Sequence, residues 1–433
     1  MLWMVLAGCA VDYGVQGVPT SPGLPPTLPP TVPLDGGPDA STRGTAFVVG
    51  FMENLLLGVN GEPRFSLSVG ADGPTEVVVR LPATGYEAVH TVDVGWTDLP
   101  LPDAVLYAQG SDVVGRQGVE VTTDAPVDLL AHHRRLYFSE STLVLPVDEL
   151  GGRYRVPTLD AAAVGRSGFV VAASEDGTTV ELTLSVDSMA AFPAGQPYTV
   201  ELDAGETYQV LALGDLSGSL VVADAPVGVF GGGVDTFAGC PATSHAWDQI
   251  LPTRRWGREH LFVPLHGQGG DQVVVVADED GTEVQVGGTA VVLDAGDAWR
   301  GELPETTRIL SSRPVGVAQV ALGGDCTTSG LGDANLVVLP PLALYRDGAD
   351  VYPLFDAEEL AMPGDDQPLG ALQGYAAAVG DGDAAVGASA WMDEGGARLD
   401  GHVRGVAFAV RSFDAHTFQL GWDCEGCVDA LDP

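Results

Sequence analysis

Eight His, five Cys and 59 acidic residues are the groups in this 433-residue chain whose chemistry depends on spacing. The one adjacent imidazole pair, His132-His133, lies in the phrase VEVTTDAPVDLLAHH, which reads as a strand. Successive strand side chains point to opposite faces, so the two rings should diverge rather than converge on an ion. The other histidines are scattered, and all eight read as surface or packing residues. Asp278-Glu279-Asp280-Gly281 and Asp381-Gly382-Asp383 could gather carboxylates around Ca²⁺, but neither has EF-hand spacing, and turns are the preferred reading. Cys424 and Cys427 form a Cys-x-x-Cys in an acidic tail with no βαβ context and no second Cys pair. That favours a short structural bridge over redox work, and Asp423 and Glu425 oppose thiolate formation. The sequence contains no nucleophile elbow, His-Glu-x-x-His, phosphate loop or dinucleotide glycine fingerprint. Catalytic, cofactor-binding and metal residues are therefore not expected, with Ca²⁺ the one ion left open. Arg254, Arg255 and Arg258 in RRWGREH are the densest basic cluster and the candidate ligand patch for a polyanionic glycan, with pairing to local carboxylates as the alternative. Trp256 among them reads as packing against the next strand.

The elements that would position these residues repeat along the chain. One phrase recurs as VEVTTDAPVDLLAHH, LVVADAPVGVFGGG and RILSSRPVGVAQVALGG, with Pro126, Pro226 and Pro314 lying 100 and 88 positions apart by subtraction. A second precedes it in each unit as ADGPTEVVVRL, SEDGTTVELTL and DEDGTEVQVGG, with Asp72, Asp176 and Asp280 lying 104 and 104 apart. Two phrases in fixed order at a common period mean tandem structural units, each large enough for a small core. A fourth unit is fainter, with Ala415 of VRSFDAHTFQLGW standing where the others have Pro. Asp-Gly between alternating segments predicts a hairpin, and LDAGETY and LDAGDAW again read as strand, tight turn, strand. Pro opens a strand after a polar corner, and Gly228 and Gly316 mark places where another backbone approaches closely. Six or seven strands per unit give an all-β chain of tandem repeats of about 90 to 100 residues. These read as β-sandwich-like units, with a β-propeller as the alternative architecture.

Cys240 and Cys326 lie 14 and 12 residues after Pro226 and Pro314, in loops following the same strand of successive units. A Cys240 to Cys326 bridge joining neighbouring units is expected, beside the Cys424 to Cys427 bridge. The formal net charge is −40, and all 19 basic residues are Arg. Nucleic acid is excluded as a partner, because binding it needs clustered cations. The same charge fits a solvated surface that keeps molecules apart.

Residues 1–7 are apolar and lead into Leu6-Ala7-Gly8-Cys9, which resembles the lipobox of bacterial lipoproteins. That resemblance makes Cys9 the acylated first mature residue and anchors the chain to a membrane through lipid alone. The apolar run is short for a signal and no Lys or Arg precedes it, which a start codon placed too late would explain. The following tract, PTSPGLPPTLPPTVPLDGGPDAS, has little to bury and reads as a polyproline stalk. The expected organisation is a signal at 1–9, a stalk at 10–43, and β repeats at 44–150, 151–256 and 257–345, with a degenerate fourth repeat and acidic tail at 346–433.

GTAFVVGFMEN, GRYRVPTL, SEDGTTVEL, AGETYQVLALGDLSGSLVVADAPVGVFGG, DQILPTRRWGREHLFVPL and NLVVLPPLALY together resemble the N-terminal domain family of IgGFc-binding proteins. The likeness runs from Gly44 to about Gly421 and weakens after Tyr352. It implies extracellular binding or adhesion, and relatives in bacteria resemble surface or lipoprotein modules. No defined Fc-contact motif can be placed residue by residue, so it carries over no ligand. The expected function is a surface-displayed, lipid-anchored binding or adhesion protein, exported to the outer membrane or cell surface, whose partner is an extracellular protein or glycan. The alternatives are a structural component of the cell envelope or extracellular matrix and a secreted hydrolase with an acid pair hidden among the carboxylates.

Overall fold

The computed structural model describes residues 39–54, 63–135, 140–161, 165–236, 244–264, 269–323, 326 and 334–344, and backbone strands alone between 346 and 425. Its regular structure is β-strand, with short 3₁₀ turns at Val147–Glu149, Thr253–Arg255 and Leu342–Leu344. No helix among the described residues is long and apolar enough to cross a membrane.

A short β1 (Asp39–Ser41) precedes the first unit, which comprises β2 (Gly44–Val49), β3 (Arg64–Ala71), β4 (Thr75–Leu81), β5 (Tyr86–Val92), β6 (Gly95–Pro100), β8 (Val119–Arg134) and β9 (Glu140–Leu143). The short β7 (Val113–Gly115) crosses over to pair with the second unit. β8 is long enough to serve two sheets. Its first half pairs with β2 and β4, and its second half with β3 and β9. One sheet is therefore β5-β4-β8-β2 and the other, called axial below, is β6-β3-β8-β9. The pattern recurs in β10 (Gly151–Arg155), β11 (Arg166–Ala173), β12 (Thr178–Thr183), β13 (Tyr198–Leu202), β14 (Thr207–Ala212), β15 (Leu220–Thr236) and β16 (Ser244–Gln249), where β15 is the shared strand. It recurs again in β17 (Gly257–Phe262), β18 (Asp271–Ala277), β19 (Thr282–Val286), β20 (Thr289–Leu293), β21 (Ala298–Leu303), β22 (Thr307–Ala321) and β23 (Asn335–Leu339), with β22 shared. The all-β tandem repeat is thus seven strands arranged as a two-sheet sandwich.

The Pro phrase is the corner of the shared strand. Where the first strand of a unit steps from Gly44 to Ala46, its partners on β8 jump from Val127 to Thr122, and the same jump occurs opposite Gly151 and Gly257. Residues at the bend have lost their ladder partners, and side chains replace them. Asp124, Asp224 and Ser312, each two residues before the Pro, accept the backbone N–H of Glu76, Thr179 and Glu283. Gly44, Gly151 and Gly257 lie against Pro146, Pro252 and Pro341, where a Cβ would fall 2.2, 2.9 and 2.3 Å from ring carbons. Gly228 does meet backbone, with Val48 O at 3.3 Å from a built Cβ, whereas Gly316 is covered by the Trp256 ring.

The Asp-Gly turns do not close hairpins. β11 and β12 each pair with β15 at opposite ends and not with one another, so the chain passes from one sheet to the other there. Gly177 has φ +68° but Asp176 is not left-handed, and the tight hairpin turn needs both. The Asp-Ala-Gly turn makes the return passage from β13 to β14, and the two corners hold each other. Gly177 N–H donates to Asp203 while Ala204 N–H donates to Asp176, and Gly281, Asp294, Ala295 and Asp280 repeat the arrangement.

Odd-numbered residues of β3, β11 and β18 fill the unit's own sandwich, as with Leu67, Phe169 and Val273. The opposite faces of the second and third axial sheets pack on the preceding unit: Val170, Leu211, Phe230 and Trp247 join the first core, and Val274, Val276, Ala318 and Val338 join the second. Both faces are covered, which is why FVVAA and QVVVVA show no alternation. Each fully buried Val or Leu contributes about 1.5–3 kcal/mol.

β9, β16 and β23 are the innermost strands and lie side by side. The remaining strands are β24 (Arg346–Val351), β25 (Gln373–Ala378), β26 (Ala388–Met392), β27 (Ala397–Val403), β28 (Val406–Arg411), β29 (Asp414–Phe418) and β30 (Asp423–Glu425). β29 adjoins both β23 and β9 and completes a ring of four, so the axial sheets stand radially like propeller blades while each unit remains a sandwich. β30 pairs with β1, Cys424 opposite Ala40. Ala415 lies on β29, the counterpart of β9, and not at a corner. The counterpart of the shared strand is β27 with β28, which has no proline to mark it.

Gly257→Ala should therefore cost about 1–3 kcal/mol in a denaturant melt, because the Pro341 ring cannot yield easily. Gly73→Ala, whose Cβ would meet nothing within 4 Å, should stay within about 0.5 kcal/mol of the parent.

Candidate functional site

The junctions between units carry most of the buried polar chemistry. Arg300 on β21 reaches across to the second unit, donating to Asp215, to the carbonyl of Thr158 and to the Ser217 hydroxyl at 2.6 to 2.9 Å. Burial alone would raise the Asp215 pKa, but Arg300 and the Ser217 bonds outweigh it and hold the carboxyl below its ordinary 3.8. Gln209, at the same register on β14, grips the first unit through Glu53 N–H and Gly110 O. Asp248, fully buried on β16, accepts from the Thr142 hydroxyl on β9 and from the Val338 N–H on β23, so one carboxylate ties three inner strands.

His132 and His133 do diverge, but both are fully buried. His132 lies between the Ser68 and Ser141 hydroxyls at 2.7 Å each. His133 turns into the first core against Phe51, Phe65 and Tyr107, beside His245 of the second unit. His245 Nδ1 shares a 2.6 Å hydrogen bond with Glu140. Burial pulls the His133 pKa well down, with His245 and Arg135 adding to the effect, while burial pushes Glu140 up. Donor atoms of His133, Glu140 and His245 all lie within 4.8 Å of one another. Sequence reasoning missed this cluster because His133 and His245 are 112 positions apart by subtraction, on strands of different units. The available signal was that SESTLVLP and SHAWDQILP carry charged or imidazole groups where the third counterpart, NLVVLP, carries neither.

Two of the Arg trio, Arg254 and Arg255, fall at the junction of the first two units. Arg255 is buried in an ion pair with Glu149, and Arg254 donates to the carbonyls of Asp148 and Leu150. Arg258, on β17, is partly buried. Trp256 packs as expected, 3 % exposed and over Gly316. Asp278 pairs with Arg153 and Arg155, Glu279 with Arg313, and Asp280 with a backbone N–H, so these carboxylates diverge to separate partners. Cys326 is disulfide-bonded. Cys9, Cys240, Cys427 and Asp381 to Asp383 lie outside the described residues, and Cys424 is described as backbone only. An open groove of about 690 Å³ lies on the third unit, lined among others by Gly288, Trp299, Glu302 and Arg308.

The tandem β-sandwiches bury their inner strands in one another and turn their corners and grooves outward. The chain belongs to the IgGFc binding protein family, whose model matches residues 140–362, just over half of its length. It is 27 % identical over 311 residues to the human IgGFc-binding protein, covering 69 % of this chain and 6 % of that much longer one.

Asp215→Asn should remove about 1–3 kcal/mol at pH 7 by leaving Arg300 without its counter-charge. Because the Asp215 pKa is lowered on folding, the contribution is complete above 3.8 and fades as pH falls through the lower folded value. Melts of parent and variant should converge only in strong acid.

Proposed function

We propose that this chain is a binding or adhesion module displayed outside the cell, held by a Cys9-linked lipid on the Pro-rich stalk, with an extracellular protein or glycan as ligand. Family membership over residues 140–362 carries the reading. The groove beside Trp299 offers a place for the contact. It sets an aromatic ring among exposed Glu302, Arg308 and Thr289, the mix of apolar face and convergent polar groups that orients a sugar or an extended peptide. Arg254 and Arg255 are engaged at the junction, so the groove rather than the Arg trio is the surface we assign to ligand.

The full chain, immobilised and presented with glycans, mucins, envelope fractions and immunoglobulin Fc, should retain a ligand from one of these. Glu302→Arg, a surface change, should weaken capture at least tenfold, about 1.4 kcal/mol, with an unchanged melt. Retention of none of them by the folded chain, with calcium- or salt-dependent self-association instead, would favour the structural envelope role.

A further inference from the structure

The His133, Glu140 and His245 cluster is unusual for a packed core. All three side chains are at most 2 % exposed, and neither ring nitrogen of His133 has a hydrogen-bond partner. His245 Nε2 is likewise unpartnered, although its Nδ1 is held by Glu140. Leaving imidazole nitrogens dry and unpaired is costly, and buried groups of this kind normally meet a partner, a water or an ion. An aromatic packing role explains the ring of His133 among Phe51, Phe65 and Tyr107 but not its two idle nitrogens, since a Phe would pack there at lower cost.

We infer that His133, His245 and Glu140 bind a divalent transition-metal ion, of which Zn²⁺ is the best fit, at the junction of the first two units. Two imidazoles and one carboxylate are a ligand set such ions favour, and neither thiolates nor the all-oxygen cage that Ca²⁺ prefers is present among these three. Donor atoms already within 4.8 Å of one another need only modest closure, since ligands about 2.0–2.1 Å from a tetrahedral ion stand about 3.3 Å apart. β8 and β9 fix two of the ligands as register partners, His133 opposite Glu140, and β16 brings the third from the next unit. The ion takes one nitrogen from each neutral ring and one oxygen of the Glu140 carboxylate; where it displaces the His245–Glu140 hydrogen bond at Nδ1, the ring proton moves to Nε2 of His245. A water fills the fourth position. It would pin one sandwich to the next, as a staple independent of whatever the outer surface binds.

The test uses the untagged full chain, unfolded in chelator, then refolded with and without one equivalent of ZnCl₂. The metal-refolded chain should retain about one Zn²⁺ after desalting and melt at higher temperature. CoCl₂ in its place should give visible absorption bands of nitrogen and oxygen coordination. His133→Phe, which preserves the aromatic packing, should fold with the same circular dichroism and lose both the metal and the metal-dependent rise in melting temperature. Glu140→Gln should lower Zn²⁺ affinity at least tenfold. A parent chain that refolds without retaining Zn²⁺ and melts identically with and without it would overturn the inference. So would a His133→Phe variant that retains as much Zn²⁺ as the parent.

Discussion

One constraint governs the architecture: a single strand of 15 to 17 residues must serve two sheets at once. A strand that long would ordinarily continue one ladder, and splitting it strands backbone donors at the bend. The Asp-Ala-Pro and Ser-Arg-Pro corners resolve this. Proline removes one N–H outright, and the Asp or Ser two residues earlier accepts a neighbour's. Once the corner is made, the two sheets face each other and the sandwich core follows.

The same corner explains what was legible in the sequence and what was not. Tandem units, their strand content and the role of Pro126, Pro226 and Pro314 could be read because they are local and repeated. The Asp-Gly hairpins could not, since a turn's residues do not say whether the flanking strands pair with each other or with a third strand far along the chain. The register of the fourth unit is hidden for a related reason: without proline, β27 and β28 carry no landmark, and Ala415 belongs to β29 rather than to a corner.

The site chemistry was harder still, because it belongs to junctions. Arg300 with Asp215, Arg255 with Glu149, and His245 with Glu140 and His133 each join residues of different units, and no spacing within one unit announces them. The histidines illustrate the limit. Alternation correctly sends His132 and His133 to opposite faces, but a strand buried on both faces has no solvent side, so each ring meets its own interior. The tandem arrangement thus turns what would be surface in an isolated sandwich into a second core.

The pairing of β1 with β30 and of β29 beside β9 has a kinetic side. The first sandwich can gather its strands soon after they leave the ribosome, yet its flank has no neighbour until the chain has run the 271 positions, by subtraction, from Leu143 to Asp414. During synthesis the assembly is an open arc, and the seam is sealed only by late-arriving chain. The flank of the first blade carries Ser66, Ser68 and His132 whereas the second carries Val170, Ala172 and Phe230, so the surface left waiting is the more polar of the two.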